Sequence, residues 1–123
     1  MGILGKLLGL TPRKAPLSLN DANFESEVLR SELPVLLDVW GSSCGPCKQL
    51  EPIIMDLAAH YDGRVKVCEL SAQHAPETAA RLRIQATPTV LYFQRGVELE
   101  RIHGFRSSLW HKQTVAALFS IAD

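Results

Sequence analysis

Two cysteines three positions apart, Cys44 and Cys47, are the residues of this chain best suited to chemistry. They enclose Gly45 and Pro46 and lie between a short apolar run, residues 35–40, and a stretch of helical periodicity. Unpaired N–H groups and the dipole at a helix start stabilise a thiolate, which is the form that attacks a disulfide. The spacing lets Cys47 approach the same sulfur from within the helix. The pair therefore predicts thiol–disulfide exchange, with Cys44 as the attacking sulfur.

Metal binding and simple packing are the alternatives for this pair. Tetrahedral zinc usually needs further cysteines or closely spaced histidines, and the sequence has neither a second Cys-x-x-Cys nor a suitable His pair. Packing of both cysteines in a core is disfavoured because Gly45-Pro46 marks a turn. The third cysteine, Cys68, lies in the middle of a predicted strand and is interpreted as a small buried apolar residue. We therefore expect no metal and no bound cofactor, only a reversible Cys44–Cys47 disulfide.

Length and composition place these cysteines in one ordinary globular domain. The chain has 123 residues, of which 46% are hydrophobic, and 13 basic residues balance 13 acidic ones. That balance gives no electrostatic reason to bind nucleic acid. No apolar stretch approaches the ~20 residues that a membrane-spanning helix needs, and no signal peptide is recognised. The expected location is the cytoplasm, and the expected state is a monomer.

Residues 1–16 differ in composition from the rest of the chain and are interpreted as an N-terminal extension and linker. Apolar residues at helical spacing near the start predict a short amphipathic helix, although glycines weaken it, and two prolines mark residues 11–16 as a linker. The segment is either a frayed tail or a helix packed on its own domain, or it contacts a membrane surface or partner through residues 1–10. The contact with a membrane or partner is the less favoured alternative. Residues 17–123 form the predicted domain.

Strands and helices alternate along that domain, and an antiparallel hairpin comes after them. Asn20 or Asp21 is expected to cap a first helix, and Ser107 or Ser108 a last one. The predicted strands are residues 35–40, 65–70, 89–93 and 97–103, and the other predicted helices cover residues 48–60, 76–82 and a C-terminal segment. In that last helix the predicted buried residues are Leu109, Val115, Ala116, Leu118 and Phe119.

Several motifs taken together resemble the thioredoxin family over about residues 17–122. They are Asp38-Val39-Trp40, Cys44-Gly45-Pro46-Cys47-Lys48 and Ala86-Thr87-Pro88-Thr89, with Gly96 and Gly104 at later turns. The resemblance implies an α/β thioredoxin fold, with a central five-stranded mixed sheet flanked by about four helices. It also implies a cis peptide bond between Thr87 and Pro88, beside the dithiol.

Roles for individual residues are implied by this resemblance. Cys44 is the expected nucleophile and Cys47 the resolving thiol. Asp38 corresponds to a buried acid that exchanges a proton with the resolving cysteine, and burial is expected to raise its pKa. Thr87 is expected to offer its backbone to an extended substrate segment. The expected substrate-binding residues are Trp40, Gly45, Pro46, Thr87 and Pro88, of which Trp40 serves mainly as packing under the site.

Three residues depart from common members of the family. Ser43 replaces a tryptophan before the first cysteine, and Gln73 replaces a loop aspartate. Glu69 stands where many bacterial members have a lysine, although acids also occur there in the family. The favoured function is reduction of protein disulfides, with electrons from a thioredoxin-reductase-like or other dithiol donor. The alternatives are an adaptor built on the same fold, or a disulfide oxidase or isomerase. The departures bear on the choice of partner rather than on the chemistry.

Overall fold

The computed structural model describes residues 12–122, which form a five-stranded mixed sheet in the order β1–β3–β2–β4–β5. Strands β1, β2 and β3 are parallel, and β4 and β5 are antiparallel to their neighbours. The strands are β1 (Leu17–Leu19), β2 (Val35–Trp40), β3 (Lys66–Ser71), β4 (Thr89–Gln94) and β5 (Val97–His103). The helices are α1 (Glu25–Leu29), α2 (Gly45–His60), α3 (Pro76–Arg81) and α4 (Ser108–Phe119). The predicted fold class is confirmed.

The central strand β2 is buried on both faces, because alternate side chains enter two separate cores. On one face Val35, Leu37 and Val39 pack in a core that also receives residues from around α1 and α3. On the other face Leu36 packs in a core with residues of α2 and α4. Asp38 lies on this second face by the alternation of the strand. The position that would continue an apolar stripe therefore carries a carboxyl group.

The first helix is short. Only Glu25–Leu29 is helical beyond the entering turn, and it has π-type bonding, with the Arg30 N–H donating to the Glu25 carbonyl. Asn20 caps the entering turn as predicted, because its Oδ1 accepts from two backbone N–H groups. Asp21 instead accepts from the Glu77 and Thr78 N–H groups at the start of α3. Asp21 therefore links the turn before α1 to the start of α3, and both segments contribute residues to the same core.

The last helix confirms the Ser107 cap, which accepts from the Trp110 N–H at 3.1 Å, but it corrects part of the predicted buried side. Leu109 is 61% exposed, and Ala116 is exposed as well. The buried residues are His111, Val115 and Phe119, which succeed one another at intervals of four. His111 bonds through Nδ1 to the Tyr92 hydroxyl inside the second core.

The segment before β1 lies against α2. Arg13 forms an ion pair with Asp56, and the Lys14 N–H donates to the Met55 carbonyl at 3.2 Å. The Lys14 ammonium also pairs with Asp62. The predicted amphipathic helix of residues 1–10 lies outside the described residues. Within residues 12–122, no helix is long and apolar enough to cross a membrane.

Candidate active site

Cys44 and Cys47 form a disulfide at the N-terminus of α2, with their Cα atoms 5.3 Å apart. Cys44 is the N-cap residue, and its sulfur accepts a hydrogen bond from the Cys47 N–H at 3.3 Å. Gly45 and Pro46 are the exposed first residues of the helix. The proline fits there because a first-turn position needs no N–H donor. The backbone that bonds a neutral sulfur here would also stabilise its thiolate.

The two sulfurs differ in their access to solvent. Cys44 is half-buried, whereas Cys47 is only 6% exposed and belongs to the packed interior of α2. A substrate disulfide can therefore reach Cys44 first, and Cys47 only by way of Cys44.

Thr87 and Pro88 approach the disulfide from the loop before β4. The peptide bond between them is cis, as the resemblance implies. The Thr87 carbonyl oxygen lies 3.5 Å from the sulfur of Cys44. Thr87 is half-buried and Pro88 is buried. The loop therefore brings a backbone edge beside the sulfur of Cys44.

Asp38 is buried, at 4% exposure, on the strand that leads to the disulfide loop. Its Oδ1 has no hydrogen-bond partner among residues 12–122. Burial, with smaller contributions from Glu69 and Glu51, raises the pKa of Asp38 to about 7. A carboxyl group in this state accepts and releases a proton near neutral pH.

A cavity of about 550 Å³ lies beside these groups, and both Asp38 and Cys47 line it. Trp40 lines it as well, half-buried, and its Nε1 donates to the Glu69 carboxylate at 2.6 Å. Glu51 of α2 forms part of the wall. The lining is mostly apolar, but Asp38, Glu51 and Glu69 contribute carboxyl groups to it. A cavity of this size has room for water bound to these groups, and such water can carry a proton between groups that do not touch.

The loop between β2 and α2 is held by a residue whose role the sequence did not reveal. Gln73 accepts a hydrogen bond from the Ser42 N–H at 3.2 Å through its side-chain oxygen. Ser43, the next residue, has a left-handed backbone with φ of 55°, which non-glycine residues adopt at a cost. Gln73 therefore fixes the loop backbone just before the first cysteine. The sequence marked Gln73 only as the residue that replaces the family's loop aspartate, and did not indicate that it bonds this loop.

The remaining chemistry-bearing residues are not brought to this site as a cluster. Cys68 is reduced and fully buried in the first core, as the sequence predicts, and burial raises the pKa of its thiol to about 12. No group of three or more His, Cys, Asp or Glu side chains within residues 12–122 is arranged to hold a metal ion. The described site thus brings together the two bonded sulfurs and the buried carboxyl group of Asp38.

A redox-active pair at a helix start, a cis-proline loop beside it and a buried acid behind it define a thiol–disulfide oxidoreductase. The thioredoxin family model matches residues 15–116. The chain belongs to the thioredoxin family, and this identifies it as a protein-disulfide reductase.

Curated relatives agree with this assignment. A thioredoxin of Synechocystis is 38% identical over 86 residues, which cover 70% of this chain and 80% of the relative. A chloroplastic M-type thioredoxin of spinach is 42% identical over 86 residues, 70% of this chain but 48% of that protein. A thioredoxin of Rickettsia conorii is 42% identical over 76 residues, 62% of this chain and 72% of the relative. The chain therefore spans about half the length of some relatives and most of the length of others.

Proposed function

We propose that the reduced chain reduces protein disulfides by two successive exchanges. The Cys44 thiolate attacks one substrate sulfur, forms a mixed disulfide and releases the other substrate sulfur as a thiolate. Cys47 then attacks the Cys44 sulfur, which frees the substrate as a dithiol and leaves the Cys44–Cys47 disulfide. Two electrons pass from one pair of sulfurs to the other, so the reaction needs no bound cofactor. The observation that carries this assignment is the half-buried Cys44 sulfur at the helix N-terminus with the buried Cys47 behind it.

Asp38 is the proposed proton carrier of the second exchange. Cys47 must lose its proton before it attacks, and the Asp38 carboxylate accepts it. When the disulfide is reduced again, the Asp38 carboxyl returns the proton to the Cys47 sulfur. The shared cavity and a pKa of about 7 support this role, because a base works best when its pKa lies near the working pH.

The proposed substrate surface surrounds Cys44. A substrate segment in extended conformation lies along the backbone of Thr87 and Pro88, in the manner of an added strand. Gly45 and Pro46 are exposed at the helix start and offer a small, uncharged contact on the other side. Trp40 contributes through its half-buried ring at the end of β2.

The proposed electron donor is a thioredoxin-reductase-like protein or another dithiol. Ser43 and Gln73, in and opposite the loop before Cys44, bear on the choice between these donors. Ser43 is exposed where an aromatic residue would supply an apolar anchor, and aromatic anchors often contribute ~2 kcal/mol or more to an interface. Gln73 bonds the loop backbone, so no acid is available there to pair with such an anchor. We expect a generic thioredoxin reductase to act on this protein about tenfold less efficiently, for ~1.4 kcal/mol lost. Small dithiols should reduce it normally.

Insulin reduction with dithiothreitol tests the proposed function, with Cys44→Ser as the inactive control. Turnover should depend on Cys44, and the midpoint potential of the pair should lie below about −200 mV. A potential above that value would favour an oxidase, and the absence of any turnover would favour an adaptor. The same assay with NADPH and a thioredoxin reductase tests the donor. A rate equal to that of an ordinary thioredoxin would contradict the proposed partner preference.

Location and assembly are further proposals. We expect a monomer in the cytoplasm, although the M-type relatives are named as chloroplast proteins. Cell fractionation and size-exclusion chromatography of the full chain test these two points directly.

A further inference from the structure

Asp38 and Glu69 lie side by side on neighbouring parallel strands. They are register partners of β2 and β3, and neighbouring strands are ~4.8 Å apart. Trp40 lies two residues after Asp38 and therefore on the same face of the sheet. Its indole N–H donates to the Glu69 carboxylate at 2.6 Å. This bond fixes the carboxylate of Glu69 on the face that carries Asp38, beside the cavity that all three residues line.

Among the charged side chains around Asp38, Glu69 is the half-buried one and is held by a hydrogen bond. On β4 the register partner of Asp38 is Val90, and the linker side of the cavity contributes the uncharged Ala15 and Pro16. The titratable or charged side chains that line the cavity from α2 are Cys47, Lys48 and Glu51. Of these, Lys48 and Glu51 are exposed and of opposite sign, so solvent screens them more than it screens Glu69.

We propose that Glu69, held by the Trp40 indole, is a positioning residue that tunes Asp38 for proton exchange with Cys47. The inference rests on the proposed role of Asp38. A fixed negative charge beside the Asp38 carboxylate makes that carboxylate a stronger base toward the Cys47 thiol. It also favours the protonated carboxyl when the disulfide is to be reduced again.

The direct test is the titration of Asp38 in the oxidised protein, where the two active-site sulfurs are bonded and do not titrate. The carboxyl carbon of Asp38 can be followed by NMR in wild type, Glu69→Gln and Trp40→Phe. Removing the Glu69 charge should move the midpoint down by about one pH unit, the effect of one like charge several ångströms away. Trp40→Phe should move it the same way but less, since the carboxylate is then free to turn to solvent. Glu32→Gln, at an exposed position outside the cavity, removes the same charge and should leave the midpoint in place.

The pH dependence of the reaction provides a second test. In the otherwise wild-type protein, Glu69→Gln should shift the pH dependence of insulin reduction toward acid by a similar amount. In an Asp38→Asn background the same substitution should leave the profile unchanged, which a merely structural role for Glu69 would not produce. An unmoved Asp38 midpoint in Glu69→Gln overturns the inference and leaves the proposed function standing. A normal pH profile in Asp38→Asn instead overturns the proton-carrier role of Asp38, and the catalytic part of the inference with it.

Discussion

Replacing Asp38 with asparagine should favour the folded, oxidised protein more at alkaline pH than in acid. Burial raises the pKa of Asp38 to about 7, whereas a carboxyl in an unfolded chain has its ordinary value of 3.8. Between these values the folded chain holds a proton that the unfolded chain has lost. The free energy of unfolding therefore falls as pH rises from about 4 to about 7 and levels off above that.

The magnitude is set by the difference between the two pKa values. About three pKa units correspond to about 4 kcal/mol, of which about 3 kcal/mol should appear between pH 4.5 and pH 8.5. Asparagine cannot ionise, so the Asp38→Asn variant should lack this loss. Its buried amide brings its own cost of about 1–3 kcal/mol for an unpaired donor, but that cost is the same at both pH values.

Urea unfolding of the disulfide-bonded protein at pH 4.5 and 8.5 measures this effect. The free energy of unfolding of Asp38→Asn, relative to that of wild type, should rise by about 3 kcal/mol from the lower to the higher pH. Glu32→Gln, which removes an exposed carboxylate, is the matched control and should show no such gain. Parallel behaviour of wild type and Asp38→Asn at the two pH values would refute the reasoning about this buried acid.

Three further predictions concern the fold. Burial lowers the pKa of His111 to about 4 from 6.5. Stability that is present above pH 6.5 should therefore be lost as the pH falls toward 4, by up to about 3 kcal/mol. The His111→Phe variant should lack this loss in unfolding curves measured in acid. Asp21→Ala should lower the midpoint of urea unfolding, because it removes the acceptor of two backbone N–H groups at the start of α3; an unchanged midpoint would contradict this. Val115→Ala should destabilise by about 1 kcal/mol or more and the exposed Leu109→Ala by less than about 0.5 kcal/mol, and equal effects would contradict the observed orientation of α4.

Most of the sheet could be predicted because β2 and β4 carry apolar runs, and because β5 follows a turn at Gly96 as the hairpin partner of β4. The bounds of β5 agree with the prediction, and those of β2 do as well. The strand β1 was missed because three residues are too few to display an alternating pattern. Its pairing with β3 defines it, and that pairing is a long-range contact that no local pattern encodes.

The helices show why polar residues mislead sequence interpretation. His111 was not assigned to the core because histidine is usually exposed, yet its spacing of four from Val115 puts it on the buried face. Leu109 was assigned to the core for its hydrophobicity, although six residues before Val115 is about a third of a turn off that face. Periodicity is the better guide in this helix.

The site was predictable where motifs are local and not where contacts are distant. The helix-start position of the cysteines and the burial of Asp38 are encoded by adjacent residues. The bonds from Trp40 to Glu69 and from Ser42 to Gln73 span 29 and 31 positions, and residue types alone do not reveal them.

Trapping of the mixed disulfide tests the division of roles between the two cysteines most directly. Cys47→Ser and Cys44→Ser variants of the full chain can be incubated with a disulfide-containing protein and resolved on non-reducing gels. Cys47→Ser should accumulate a covalent complex that dithiothreitol releases, because attack by Cys44 persists while resolution is lost. Cys44→Ser should accumulate little, since the remaining sulfur is buried. Preferential trapping by Cys44→Ser, or no trapping by either variant, would contradict the account.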